Sequence, residues 1–199
     1  MSLSDQDGKS LVKTARLAVT EYLKTGKKIT LPQEFKSKFS YNSGVFVTLN
    51  KEENLRGCIG FPTPEKKLYQ SLVDAAISSS TEDPRFPKVR YEELRDISFE
   101  VTVLTPPLEV KVENPLEYPS KIKAGQDGLI VKWEFGSGLL LPQVPVEYGW
   151  NEEEFLNHTC EKAGAPQDCW KKKSTKILKF EGIVFKEISP NGDVVRVLL

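Results

Sequence analysis

Leu55, Arg56, Gly57, Cys58, Ile59 and Gly60 put a nucleophile, a cation and two glycines into one short stretch of a 199-residue chain. In an extended strand alternate residues share a face, so Arg56 and Cys58 project together, about 6–7 Å apart. A guanidinium at that range favours the thiolate, the form of cysteine that attacks electrophiles, and it could equally hold an anionic group. Glycines inside a strand remove side chains where a ligand or another backbone segment must come close. The same residues also fit a plainer reading, in which Cys58 is a small buried hydrophobe and the glycines mark a β-bulge.

Asp83-Pro84-Arg85-Phe86 is a second candidate. It follows a helix end, where a rigid proline can aim a carboxylate and a guanidinium at a site, although an ordinary structural loop has the same composition. Gln143, in Leu141-Pro142-Gln143, sets a polar amide just beyond an apolar strand, within reach either of a ligand or of loop backbone. His158 is the only histidine, two residues before Cys160 on a helical stretch, so the two point about 200° apart and cannot share a metal locally. With three scattered cysteines and one histidine no zinc constellation is legible, and neither phosphate-loop pattern occurs, so no metal or cofactor is expected. Trp133, Trp150 and Trp170 read as core or subdomain-contact residues.

The chain carries 28 Lys and Arg against 28 Asp and Glu, so no basic field suggests nucleic acid, and Lys171-Lys172-Lys173 reads as a solvated face. No stretch approaches the ~18 apolar residues of a membrane span. Cys58, Cys160 and Cys169 are an odd, widely spaced set that gives no disulfide framework. Together with a polar, acidic Met1 to Asp7, this implies a reducing cytosolic compartment in which Cys160 and Cys169 are free structural thiols. Abundant Lys and Glu with scarce Cys, Met and His is a bias seen in heat-adapted proteins.

The elements that must position these residues are legible from periodicity. Leu11, Ala15, Ala18, Val19, Tyr22 and Leu23 recur at helical spacing over 10–23, with Gly26 as a stop. A polar linker leads to a hairpin of 44–49 and 55–60 turning at 50–54. Thr63 as N-cap and Pro64 at the first helical position open a helix that ends before Asp83-Pro84. Ile97 to Leu104 alternates as a half-buried strand. A second hairpin pairs 128–133 with 139–142 through Gly136-Ser137-Gly138, and a helix follows from N-cap Asn151, with Glu154 completing a capping box and Gly164 closing it. Lys176 to Ile188 and Val194 to Leu198 form a last hairpin turning at Asn191-Gly192.

Sliding the chain by 84 residues lays Gly44 to Val47 on Gly128 to Val131, and Ile97 to Leu104 on Glu181 to Ile188. The order hairpin, helix, strand occurs twice, which predicts a duplicated α+β unit, with repeats at about 44–104 and 128–188 preceded by a helix at about 10–25. Both repeats belong to one compact body of 1–199.

Four motifs taken together, Leu-Arg-Gly-Cys-Ile-Gly at 55–60, Asp-Pro-Arg-Phe at 83–86, Gly-Leu-Leu-Leu-Pro-Gln-Val at 138–144 and Cys-Glu-Lys-Ala-Gly at 160–164, resemble the AMMECR domain family from about Leu11 to the C-terminus. The resemblance implies duplicated β-β-β-α-α units around a single barrel-like sheet with flanking helices. It also implies that Arg56, Gly57, Cys58 and Gly60 line a cleft, with Asp83, Arg85 and Gln143 as further candidates. The family has no established reaction. Its genes often accompany a Memo-like protein and a radical S-adenosylmethionine enzyme, which implies an accessory role in a modification pathway.

Two functions follow from the residues. In one, the cleft binds a small molecule or peptide, with Arg56 as anion clamp and the glycines admitting the ligand. In the other, Cys58 is the nucleophile of a thiol-dependent enzyme, with Arg56 lowering its pKa and nearby amides receiving negative charge; no histidine base is readable.

Overall fold

A computed structural model describes residues 3–197, and their helices and strands fall into two units, 3–104 with 183–197, and 105–182. Leu198, where the sequence pattern ends the last strand, lies outside the described residues.

The first unit opens with helix α1 (Asp5–Thr25), which starts five residues before the apolar periodicity because Ser4 caps it reciprocally with Asp7. Gly26, at φ 71°, ends it in the left-handed conformation that glycine tolerates. The polar linker holds a short helix α2 (Gln33–Lys38) with no amphipathic signature to announce it. Strands β1 (Val45–Lys51) and β2 (Asn54–Phe61) form the expected hairpin, with Glu52 and Glu53 at positive φ in its turn. Helix α3 (Leu68–Thr81) begins after Lys67, not at Thr63 and Pro64. The chain does not enter the helix earlier because Leu68 N–H bonds to the Tyr41 carbonyl and Asn42 holds the Pro64 carbonyl, which keeps 62–67 out of the helix. Strand β3 (Ile97–Leu104) falls where its alternation puts it.

In the second unit a two-residue strand β4 (Leu108–Glu109) and a one-turn helix α4 (Tyr118–Lys121) precede β5 (Asp127–Trp133) and β6 (Gly136–Leu140). Gly136, Ser137 and Gly138 are therefore strand residues and not the turn. Gly138 is needed there because a Cβ would lie 2.3 Å from the Ala163 nitrogen. Helix α5 (Gln143–Tyr148) is followed by α6 (Glu152–Lys162), whose Asn151–Glu154 capping box is formed as read. Strand β7 (Lys176–Glu187) runs from this unit into the first, and β8 (Val194–Val197) pairs with its distal half.

Every strand pairing given by register is antiparallel, so the α+β class holds. Each unit repeats the order hairpin, helix, returning strand, but not at a fixed shift of 84. Val45 pairs with Phe61 and Val103, whereas its counterpart Leu129 pairs with Leu140 and with Lys179, not with Glu187 as the shift requires. A tighter second hairpin and a shorter return account for the difference.

Each unit has its own apolar core. In the first, Val45, Val47 and Leu49 of β1 and Ile97, Phe99, Val101 and Val103 of β3 pack with Leu11, Ala15 and Val19 of α1 and Leu68, Leu72 and Ala76 of α3. In the second, Leu129, Val131, Phe155, Leu156, Trp170 and Ile177 cluster. Trp170 is fully buried as a core residue, while Trp150 lies between His158 and Tyr148 in a stack of rings.

Cys160 and Cys169 are joined in a disulfide, which corrects the reading of both as free thiols. The last turn of α6 and the short helical turn at 169–171 bring their Cα atoms to 6.0 Å, a proximity that spacing alone could not reveal. A bridge of this kind departs from the expectation of a reducing compartment, although intracellular proteins of hyperthermophiles are a known exception.

Candidate functional site

The 55–60 motif occupies β2, which among the described residues pairs with β1 alone and so leaves one strand edge without a strand partner. Thr48 and Cys58 are direct partners, as are Phe46 and Gly60, Val47 and Ile59, and Leu49 and Gly57. Directly opposed residues share a face. Gly57 and Ile59 therefore face the helix side with Leu49 and Val47, while Cys58 and Gly60 face the other side with Thr48 and Phe46.

Both glycines make room for protein. A Cβ on Gly57 would lie 2.1 Å from the Ser79 carbonyl oxygen of α3, and one on Gly60 would lie 2.3 Å from the Phe46 ring. The close approach at Gly57 lets the Ser79 hydroxyl enter the hairpin, where it accepts from Ile59 N–H at 3.0 Å and donates to the Val47 carbonyl at 2.7 Å.

At the free edge Cys58 is held by the 83–86 loop. Its N–H donates to Asp83 Oδ2 at 2.8 Å, and its carbonyl accepts from Arg85 Nη2 at 3.1 Å. Asp83 also accepts from the Arg85 backbone N–H at 3.1 Å, from Arg85 Nε at 3.0 Å and from Arg85 Nη2 at 2.8 Å. The Asp83 side chain is 2% exposed and that of Arg85 is 54% exposed, so a buried carboxylate aims a guanidinium outward. Arg85 holds the Asp83 carboxyl well below the usual carboxylate range, helped by the two backbone N–H groups and opposed by burial.

Cys58 itself is half-buried. Burial pushes its thiol up, against the lowering effects of the Thr48 hydroxyl at 3.2 Å and of Arg85, while Glu100 and Asp83 add to the rise. The resting side chain at neutral pH is a thiol.

Arg56 does something else. Its Nη1 donates to the Pro87 carbonyl at 2.9 Å, and its Nε and Nη2 reach Glu93 at 3.3 and 3.4 Å, with only 13% of the side chain exposed. The guanidinium thus ties the 87–93 segment to β2, where the sequence reading expects a cation that activates Cys58 or clamps an anion. The guanidinium that reaches Cys58 is that of Arg85, at the carbonyl. Spacing along one strand suggested Arg56, but the tertiary return of the loop decides which cation arrives.

Gln143 belongs to the second unit, as the first residue of α5, and its buried Oε1 has no hydrogen-bond partner among the described residues. His158 lies on α6 and contacts Glu161 at 2.7 Å. No group of three His, Cys, Asp or Glu side chains suited to a metal occurs among the described residues. No helix among them is long and apolar enough to cross a membrane.

Sequence reasoning missed Thr48 and Glu100. Both stand opposite one another on β1 and β3, on the Cys58 face of the sheet. The signal was present in the alternation, since each is a polar residue between apolar neighbours, but only the register reveals that they share the face of the cysteine.

The AMMECR1 family pattern matches residues 12–185. The chain belongs to the AMMECR1 family. A protein of Methanothermobacter thermautotrophicus is 52% identical over 185 residues, covering 93% of this chain and 96% of that one. Protein PH0010 of Pyrococcus horikoshii is 51% identical over 199 residues, covering 98% and 96%. The crystal structure described as that of uncharacterized protein PH0010 matches with a TM-score of 0.85 at 50% identity over 99% of both chains. The α+β architecture is therefore that of the family, whose relatives bear names that state no activity.

Proposed function

We propose that the Cys58 face of the first unit binds a small molecule or peptide through a carboxylate or phosphate group, with Arg85 as the clamp. The observation that carries this reading is the pairing of a 2% exposed Asp83 with a 54% exposed Arg85, a guanidinium fixed in direction while one edge stays open to solvent. Fixing the fork in advance lowers the ordering cost of binding. Gly57 and Gly60 support the site by packing, and Arg56 supports it by anchoring the loop. The half-buried neutral thiol of Cys58 favours a binding role over that of a standing thiolate nucleophile. A cytosolic accessory of the modification pathway implied by the family's Memo-like and radical S-adenosylmethionine associations would need such a binding surface.

Cys58 reports on the clamp directly, because the chain has three cysteines and the other two are bridged. Alkylation rates with iodoacetate, an anion, and iodoacetamide, its neutral analogue, are compared in wild type and Arg85→Gln. An exposed ion pair of up to about 1 kcal/mol gives a two- to fivefold fall in the iodoacetate to iodoacetamide ratio on substitution, weakening with added salt. Inorganic phosphate should slow iodoacetate in wild type more than in the variant. A ratio unchanged by Arg85→Gln and insensitive to phosphate refutes the clamp.

A further inference from the structure

Within the first unit, lysines from three separate stretches of chain converge on one cavity beside α3. Lys28, in the stretch between α1 and α2, and Lys66, just before α3, both reach Asp74 of α3, at 2.6 and 2.9 Å from its two carboxylate oxygens. Lys36 of α2 lines the same cavity, is partly buried, and makes no ion pair or hydrogen bond among the described residues. The cavity holds about 450 Å³, inside the roughly 300–1,000 Å³ of small-molecule sites, and Leu31, Tyr69 and Val73 give it an apolar wall. Folding alone accounts for Lys28 and Lys66, since both serve Asp74. It does not account for Lys36, a partly buried residue that brings a charge to the cavity without an anion to meet it. Three ammonium groups against one carboxylate leave the lining with a net charge of +2.

We infer that this cavity binds a small organic phosphate monoester, with Lys28, Lys36 and Lys66 around the phosphate and the apolar body of the ester against Leu31, Tyr69 and Val73. A phosphate monoester carries close to two negative charges near neutral pH, which matches the charge of the lining. The kind of cation points the same way. Lysine is a compact point charge with three donors and binds phosphate well, whereas bidentate capture of a carboxylate favours arginine, and no arginine lines this cavity. Lys28 and Lys66 each give a donor to Asp74, which fixes their direction, leaves donors for a ligand and lowers the ordering cost of binding. Burial raises the Asp74 carboxyl, but Lys28 and Lys66 outweigh it and hold the group below the usual carboxylate range, so the anchor of both lysines stays charged at neutral pH. The cavity shares no lining residue with the Cys58 face, and its ligand is independent of what Arg85 holds.

Amide chemical shifts of the full chain, followed by NMR during titration, separate the two faces: the amides of Leu31, Tyr69 and Val73 report on this cavity, and those of Cys58 and Arg85 on the other. The probe is phenyl phosphate at about pH 7.5, where it is a dianion. It is compared with phenyl sulfate, which keeps the ring and has one charge, and with inorganic phosphate, which lacks the ring. Phenyl phosphate should shift the cavity amides with the lowest Kd of the three, about two- to fivefold below phenyl sulfate, the worth of one exposed charge, and should weaken with added salt. Lys36→Glu brings the net charge of the lining to zero and removes no existing partner, so the variant should fold. Its Kd for phenyl phosphate should rise about four- to 25-fold, two such charge steps, and its preference for phosphate over sulfate should vanish, with the iodoacetate ratio at Cys58 unchanged. The inference is overturned by cavity amides that do not move at about 10 mM phenyl phosphate, by an equal Kd for phenyl sulfate or inorganic phosphate, or by a Kd in Lys36→Glu within about twofold of wild type. The three-ligand comparison in wild type decides the matter should the variant fail to fold. Shifts confined to Cys58 and Arg85 support the clamp and overturn this site, so either reading can fail without the other.

Discussion

Replacing Asp83 by asparagine perturbs the 83–86 loop without changing its shape. In wild type the carboxylate accepts four hydrogen bonds, from the N–H groups of Cys58 and Arg85 and from Nε and Nη2 of Arg85. Cys58 N–H and Arg85 N–H donate to different carboxylate oxygens, so the amide oxygen of asparagine can keep only one of the two backbone bonds, and the amide nitrogen on the other side can accept neither from the second N–H nor from the guanidinium. Breaking a fully buried pair costs about 3–5 kcal/mol. The 54% exposed Arg85 regains water when released, so the loss belongs near the bottom of that range, at about 3 kcal/mol. In a chain of this size that is a fall of roughly 6–12 °C in Tm, read by calorimetry or by circular dichroism. Because the folded carboxyl is depressed, its contribution is fully present above the unfolded value near 4 and is lost as pH falls toward the folded value. The gap between wild type and Asp83→Asn should therefore be constant from about pH 5 to pH 7 and should narrow below about pH 4. The variant should also lose the iodoacetate preference, since its guanidinium is no longer aimed. A Tm within about 2 °C of wild type at neutral pH, or a gap that widens on acidification, would refute the reasoning.

Gly57→Ala should destabilise by about 3–5 kcal/mol, the sum of overpacking against a backbone carbonyl and loss of the Ser79 bridge, and a denaturant midpoint near wild type would show that α3 can move aside. Glu187→Gln should cost about 3–5 kcal/mol by leaving Arg16 unpaired among Leu94 and Ile97 carbonyls and the Phe99 ring, measured by urea unfolding. Opening the Cys160–Cys169 bridge, nine residues apart, by Cys160→Ala with Cys169→Ala should cost about 3 kcal/mol on the loop-entropy account; equal stability with and without it would mean that packing alone holds that corner.

Where local periodicity and tertiary burial agree, the elements are legible. Ile97 to Leu104 alternates because one face packs on α1 and α3, and Asn151 with Glu154 caps α6 by a purely local bond pair. The failures arise where a distant partner overrides the local signal. Thr63-Pro64 is a sound helix start that loses to the bonds made by Tyr41 and Asn42. Gly136-Ser137-Gly138 reads as a turn, but Gly138 is small because α6 presses on it, so the residues belong to a strand. The 84-residue shift finds both hairpins and misplaces their partners, since loop lengths change freely between copies while the order of elements does not.

The same logic sorts the candidate site. A motif on an edge strand must satisfy its free N–H and C=O groups or leave them open to unwanted pairing. Asp83 and Arg85 do this for Cys58, so the two motifs of the sequence are halves of one construction. That construction determines which cation lies beside Cys58: Arg56, two residues away in sequence, is consumed in anchoring the loop by Glu93 and Pro87, and Arg85, 27 positions away, arrives at the Cys58 carbonyl with one edge exposed. Gly57 and Gly60 are demanded by Ser79 and Phe46. Once these structural duties are assigned, the polar groups left on the face without a packing role are the Arg85 edge, the Cys58 thiol, the Thr48 hydroxyl and the Glu100 carboxyl. A stability requirement would have filled those positions with apolar side chains, as it did with Val47 and Val101, each one residue away on the same strand.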